Sequence, residues 1–277
     1  MAERILLAGC GDVGLRVAAR LLAQGDEVWA LRRSPPRESV PGLRWLGADL
    51  MAPHAPGSLP AGIARVVYLP APDARDKAAY RALFVDGLRH LLEALDARAL
   101  KQVLLVSSSA VYGEHDGDWV DEDTPPAPMG FNGTLLLEAE QWLAAQAVPS
   151  TVLRLAGLYG PGRMQLLERV RSGAQRVPRE VPHWANRIHV DDAAAAIAHL
   201  LRLPAPLPLY LGVDDTPLPL DEVCDFLAQL LDAPPPREGP APVGVGSKRL
   251  RNARLRASGW APAWPDARDG YAALLDT

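Results

Sequence analysis

The sequence predicts an α/β protein, a doubly wound parallel sheet with a small C-terminal cap. Three observations carry this. Short β-type runs alternate with longer helical patterns as far as Ala156, a glycine-rich turn joins the first strand to the first helix, and after Gly157 the regularity loosens into Pro-rich connectors. With 277 residues, 48% of them hydrophobic and 22% charged, the chain can bury a core of that size.

The elements follow in order. "RILLA" opens the sheet, 12–24 forms a helix, and "EVWAL", "RVVYL", "QVLLVS" and "TVLRLA" supply further strands. Between them lie helical patterns at 73–97 and from about 134 to 146. The first of these repeats Tyr80, Leu83, Phe84, Leu88, Leu91, Leu92 and Leu95 at helical spacing. Connectors at 204–208, 217–219 and 234–242 then separate a strand-like "LYLGV" from helical patterns near 219–231, 248–258 and 266–275. Residues 1–160 therefore read as a Rossmann-type parallel-sheet domain whose core is completed by 186–213. Residues 161–185 and 214–277 read as a small substrate-binding cap.

Charge and composition exclude other classes. A net charge of -4 provides no positive field for nucleic acid. The apolar run in "MAERILLAGCGD" is too short for a signal peptide, and no later run reaches a spanning length, so a cytoplasmic protein without membrane contact is expected. Cys10 and Cys224 read as free thiols, Cys10 as a small loop residue, and the six histidines lack ligand spacing, so no metal is expected.

The glycine turn carries the first functional signal. Gly9, Gly11 and Gly14 form G-x-G-x-x-G directly after a strand and at the start of a helix, the Rossmann arrangement for a dinucleotide. Gly9 permits the tight turn, Gly11 lets a pyrophosphate approach the backbone, and Gly14 brings helix and strand together. Asp12 and Val13 lie between them, and exposed amides would face the phosphates. The second strand ends in Leu31-Arg32-Arg33, where an NAD site would carry an acid for the ribose 2′-hydroxyl. Arg32 and Arg33 suit a 2′-phosphate, which points to NADP, with NAD also possible.

With "GADL", "VVYLPAP", "LLVSSSAVYGE", "LRLAGLYGPGR", "RIHVDDAAAAI" and "KRLRNARLRASGW" following in order, the chain resembles an extended or atypical short-chain dehydrogenase/reductase of the NAD-dependent epimerase/dehydratase family. The resemblance implies that Asp49, with Leu50 beside it, contacts the adenine. It also implies that Leu69, Pro70 and Ala71 line the cofactor, joined by Ser107, Ala156 and Leu158, and that Ser108 is catalytic. Ser107 and Ser109 also read as structural, since a serine at a strand end satisfies nearby polar groups. The basic run Lys248, Arg249, Arg251, Arg254 and Arg256 reads as the solvated or salt-bridged face of the family's C-terminal helix.

The family's Tyr-x-x-x-Lys falls, by counting back from Ala139-Glu140, on Asn132 and Leu136. Neither residue can transfer a proton at pH 7. Asn132 can hydrogen-bond a carbonyl and Ser108 can assist. Tyr112, Tyr159, His183 and His189 are alternative proton donors, each with a packing role as the plainer reading, and Tyr112 is carried as a catalytic candidate. Arg163 and Arg187 are candidate anion contacts for a substrate. Two readings follow: an oxidoreductase or epimerase acting on a small carbonyl or nucleotide-sugar-type substrate by non-standard acid–base chemistry, or a catalytically silent NADP-binding sensor or regulatory protein. A homodimer through the faces at 73–97 and 134–146 is also expected.

Overall fold

A computed structural model describes residues 2–36, 40–55 and 57–275. Its centre is a seven-stranded sheet: β1 (Arg4–Ala8), β2 (Glu27–Arg32), β3 (Leu43–Gly47), β4 (Arg65–Tyr68), β5 (Gln102–Ser108), β6 (Ser150–Leu155) and β7 (Leu209–Gly212). Their order across the sheet is β7-β6-β5-β4-β1-β2-β3. Neighbours from β3 to β5 pair in parallel, with Leu6 opposite Trp29 on one side and Val66 on the other. Ile5, Leu6, Leu7, Val66, Val67, Leu104 and Leu105 are fully buried, as expected of parallel strands covered on both faces. The sequence reading misses β3, whose "LRWLG" lies at the sheet edge with partly open positions and no clean alternation.

Four helices of this region are named α1 (Asp12–Ala23), α2 (Lys77–Tyr80), α3 (Gly87–Ala94) and α4 (Phe131–Ala144). The expected helix over 73–97 is shorter and is not uniform. Asp76 caps it by accepting from the Ala79 amide at 2.9 Å, and Arg81–Asp86 is π-helical between α2 and α3. There the buried Tyr68 hydroxyl donates to the Leu83 carbonyl. Gly87 follows where a side chain could not, since a Cβ would lie 2.7 Å from the Leu50 carbonyl oxygen.

α4 begins three residues before the expected Thr134, which places Asn132 in its first turn. Gly133 weakens a helix locally, but Leu135, Leu136, Ala139 and Leu143 bury one side of it, and Phe131 meets Tyr80 edge-on at 5.3 Å. Packing overrides propensity here.

The chain divides into two compact units. The first holds residues 1–108, 131–154 and 194–210, and the second holds 109–130, 155–193 and 211–277. The second unit thus takes in 109–130, 155–160, 186–193 and 211–213, beyond the segments read as a cap. It contains short strand pairs, among them Gly157–Tyr159 with Arg187–His189 and Trp119–Val120 with Arg249–Leu250, both parallel. Its core gathers Tyr159, Leu167, Val170, Val177, Leu227 and Tyr271. The basic run is not one helix: Arg249–Leu250 is a strand, Ala253–Ala257 a short helix, and Lys248 is buried. Strand pairing fixes residues 248–251, so alternation rather than helical spacing decides which side chains point outward.

Candidate functional site

In the first unit the ends of β1, β2, β3 and β4 open on a cavity of about 610 Å³. That is within the range of about 300–1,000 Å³ usual for small-molecule sites. Gly9, Gly11, Arg32, Arg33, Asp49, Leu50, Pro70 and Ala71 line it, joining in one place eight of the residues read as cofactor contacts. Cys10, Ser34, Met51, Asp73 and Leu83 line it as well. Asp73 lies just past the "LPA" stretch, and its position at the end of the segment after β4 was the available sequence signal.

The three glycines differ in what they permit. Gly9 has φ +84°, and a Cβ there would sit 2.5 Å from Pro70 Cα. At Gly14 a Cβ would meet Cys10 Sγ at 2.9 Å, so helix and strand close only around glycine. At Gly11 a Cβ would have nothing within 4 Å, which is open space beside the loop for a ligand's backbone-hugging group. The amides do not all face outward. Those of Gly9 and Cys10 both donate to the Leu31 carbonyl, at 2.9 and 3.0 Å, and that of Gly11 to Gly9. α1 starts at Asp12, and its first intrahelical bond runs from the Leu15 amide to the Gly11 carbonyl at 2.9 Å. Asp12 accepts from Arg16 at 3.1 Å.

Charge in the cavity is asymmetric. Arg33 pairs with Asp73, and Asp49 accepts from the Met51 amide at 3.0 Å. Arg32 has no carboxylate partner among the described residues. Burial pushes the Cys10 thiol up to about 12, which fits a small packed loop residue.

Ser107 does not line this cavity. Its hydroxyl donates to Glu140, and Glu140 receives Arg154 through Nε at 3.2 Å to both oxygens and Nη2 at 2.6 Å. All three are buried. The structural reading of Ser107 holds, although its partner is a carboxylate on α4 and not nearby backbone. Ser108, next along β5, is half-buried, as is Asn132 in the first turn of α4, while Leu136 is buried one turn further along. Leu69 is half-buried and reaches toward Gly14.

The second unit holds the other candidates. The Tyr112 hydroxyl donates to the Asp121 carbonyl at 2.9 Å. Tyr159 is fully buried, stacked on Tyr271 at 4.4 Å and edge-on to His189 at 5.2 Å, and burial drives its phenol well above the ordinary range. His183 is buried, and burial lowers its pKa, so the imidazole is neutral at pH 7. Ala156 is buried and its amide donates to Gly212 at 2.9 Å, while Leu158 is half-buried in its strand. Arg163 bridges back to Gly160, and Arg187 packs on Gly157, where a Cβ would lie 2.7 Å from Nη1. Among the described residues no group of three or more His, Cys, Asp or Glu could hold a metal ion, and no helix is long and apolar enough to cross a membrane.

The profile of the NAD dependent epimerase/dehydratase family matches residues 5–208. The chain belongs to the NAD-dependent epimerase/dehydratase family. A solved structure from Methylobacillus flagellatus, provisionally called a member of that class, is 41% identical, covering 100% of this chain and 98% of its own, with a TM-score of 0.83. The 3-diazoavenalumate denitrifying reductase of a Streptomyces species is 28% identical over 96% of this chain and 98% of its own. The UDP-glucose 4-epimerase of Thermus thermophilus, solved with NAD, shares the fold at a TM-score of 0.79 with 23% identity, covering 99% of this chain and 98% of its own. The cavity lies at the carboxyl ends of the parallel strands, the edge at which open α/β sheets generally bind their ligands.

Proposed function

We propose that this epimerase/dehydratase-family chain binds NADP in the first-unit cavity and acts as an oxidoreductase or epimerase on a small carbonyl or nucleotide-sugar-type substrate. The observation that carries the reading is the convergence of Gly11, Arg32, Arg33, Ser34, Asp49 and Pro70 on one cavity. What supports the fit is that Gly11 lines the cavity with open space beside it, that α1 begins at the next residue, and that Arg32, read as the cation for a ribose 2′-phosphate, lines the same cavity. When bound, the nicotinamide accepts or supplies a hydride. The chain's own task is then to manage the proton and hold the carbonyl.

At the positions read as the catalytic pair, Asn132 can donate a hydrogen bond to a carbonyl oxygen, and Leu136 offers neither charge nor donor. Asn132 and Ser108 therefore orient and polarise, and the proton must come from another group or from water. Tyr112, in the second unit, keeps the catalytic role only if its hydroxyl leaves Asp121. The reading also places a phosphate- or carboxylate-bearing part of the substrate against Arg163 and Arg187.

The finer proposals extend to setting and assembly. Leu88 and Leu91 of α3 and Leu135, Leu136 and Leu143 of α4 are buried within the chain's own packing, so a homodimer through this side would use the half-buried Leu92, Leu137 and Trp142 beside the Arg81–Glu138 fork, whose two contacts are 2.8 and 2.7 Å. A cytoplasmic setting is proposed on the same footing. The deciding experiment titrates the protein with NADPH and NADH, then follows NADPH oxidation across a panel of carbonyl compounds. Absence of saturable binding of either dinucleotide would reject the reading.

A further inference from the structure

In the second unit, Lys248-Arg249-Leu250-Arg251 alternates as a strand should. Lys248 and Leu250 are buried, Arg249 is half-buried, and Arg251 is exposed. Arg249 stands opposite Trp119 in the strand register. Its guanidinium carbon lies 5.0 Å from the centre of the Trp119 ring and 4.7 Å from that of Trp184, and the Arg251 guanidinium lies 5.1 Å from the same Trp119 ring. Arg249 Nε donates to the Gly117 carbonyl at 2.7 Å. Gly117 has φ +79°, and a Cβ there would come within 2.8 Å of Trp184 Nε1, so the loop closes on the indole only with glycine.

Two rings and one carbonyl thus hold the Arg249 guanidinium, and among the described residues its terminal nitrogens have no hydrogen-bond acceptor. No carboxylate among the described residues pairs with Arg249 or Arg251. Their neighbours behave differently: Arg254 pairs with Asp123 at 2.7 Å and Arg256 with Asp215 at 3.8 Å. Arg249 and Arg251 are thus held by aromatic rings without a carboxylate ion pair among the described residues, although the Gly117 loop beside them carries Asp116 and Asp118. Lys248 adds a buried amine beneath them, held by the carbonyls of Gly246 at 3.1 Å and Gly113 at 3.4 Å.

We propose that Trp119, Trp184, Arg249 and Arg251 form a binding site for the phosphate group of a small anionic ligand. A guanidinium edge presents parallel N–H groups that match two oxygens of a phosphate, and stacking has already removed much of the rotamer freedom that binding would otherwise cost. Arg251 supplies the second cation, and Trp119, 45% exposed, leaves indole surface open for a flat ring attached to the phosphate. The site needs no dinucleotide.

The test uses the whole chain carrying Arg32→Ala and Arg33→Ala, which removes the arginines of the first-unit cavity. Inorganic pyrophosphate and ADP are each titrated by calorimetry and by tryptophan fluorescence. Saturable binding is expected with Kd below about 1 mM, weakened at least about tenfold by Arg249→Gln and several-fold by Arg251→Gln. Arg249→Lys should also weaken it, because an ammonium lacks the fork. ADP binding tighter than pyrophosphate would assign a nucleotide as the source of the phosphate, and equal affinities would assign the phosphate alone. Arg251 is exposed, so its substitution spares the fold and keeps the test valid if Arg249→Gln unfolds the unit. No saturable binding, or binding indifferent to both substitutions, would overturn the proposal.

Discussion

Arg33 and Asp73 form an ion pair on the wall of the first-unit cavity, joining the segment after β2 to the segment after β4. A 2′-phosphate seated on Arg33 would have to displace or share that carboxylate, whereas Arg32 has no such competitor among the described residues. Asp73 should therefore restrain the preference for NADP. NADPH is expected to bind about tenfold or more tightly than NADH, and Arg32→Ala with Arg33→Ala should largely erase the difference. Asp73→Asn should raise NADPH affinity several-fold and leave NADH nearly unchanged. Fluorescence titration reads all three, and equal affinities in the unmutated protein would reject the 2′-phosphate assignment.

Gly9 and Gly11 should separate folding from binding. Gly9→Ala forces a left-handed backbone and a 2.5 Å approach to Pro70 Cα, so it should lower stability by about 1–3 kcal/mol or more. Gly11→Ala meets nothing within 4 Å in the protein itself and should change stability by no more than about 0.5 kcal/mol. Its methyl would occupy the place assigned to the pyrophosphate, and NADPH affinity should fall at least about tenfold. Thermal melts and titrations on both variants check the pair, and unchanged NADPH affinity in Gly11→Ala would remove the pyrophosphate from this loop.

Asn132 and Leu136 should limit turnover. The protein is expected to bind NADP(H) yet show little epimerase, dehydratase or ketoreductase rate of the kind a phenol–ammonium pair supports, since positioned acid–base groups contribute about 10²–10⁴ in rate. Asn132→Tyr with Leu136→Lys should raise trace activity beyond either change alone. Leu136 is 4% exposed, so the new ammonium must be desolvated and the thermal midpoint should fall. Robust turnover by the unmutated protein that survives Ser108→Ala would show that catalysis resides elsewhere. Loss of that turnover in Tyr112→Phe with NADPH binding intact would place the donor on Tyr112.

Asp214 should make stability depend on pH. Its carboxyl is pushed up to about 8, chiefly by burial and further by Asp266 and Asp215, against the opposing pull of the Thr216 amide and Arg187. Between about pH 4, where an unfolded aspartate ionises, and pH 8, the folded chain holds a proton that the unfolded chain has released. Stability therefore falls as pH rises through that window, by no more than about 6 kcal/mol, since each tenfold change in proton affinity is worth about 1.4 kcal/mol. Asp214→Asn should flatten this slope and melt higher than the parent at pH 8 by more than at pH 5. Identical slopes in the two proteins would contradict it.

The parts of this protein that depend on neighbours in the chain were legible in its sequence. Alternating apolar runs place β1, β2, β4, β5 and β6. The spacing of Gly9, Gly11 and Gly14 after a strand marks the loop, and Arg32 and Arg33 follow from the end of the second strand; Asp49, Pro70 and Ala71 come from the family resemblance, and all five of these line one cavity because strand ends in a parallel sheet converge on one edge. Turn chemistry and periodicity are short-range, so they survive in one dimension. Pairings between distant segments do not. Asp73 meets Arg33 from 40 residues away, and Glu140 receives Ser107 from 33 residues away and Arg154 from 14. The π-helical turn at Arg81–Asp86 leads into Gly87, packed close to the Leu50 carbonyl, and Phe131 at the start of α4 meets Tyr80 edge-on, contacts between segments far apart in the chain. The basic run shows the difference most directly. Its composition suggests a solvated helix, but Arg249–Leu250 pairs with Trp119–Val120 as a strand beside the buried Lys248, and only Ala253–Ala257 is helical. Desolvation and strand register are properties of the assembled chain, and they decided which of these charges are paired, which are buried, and which face solvent.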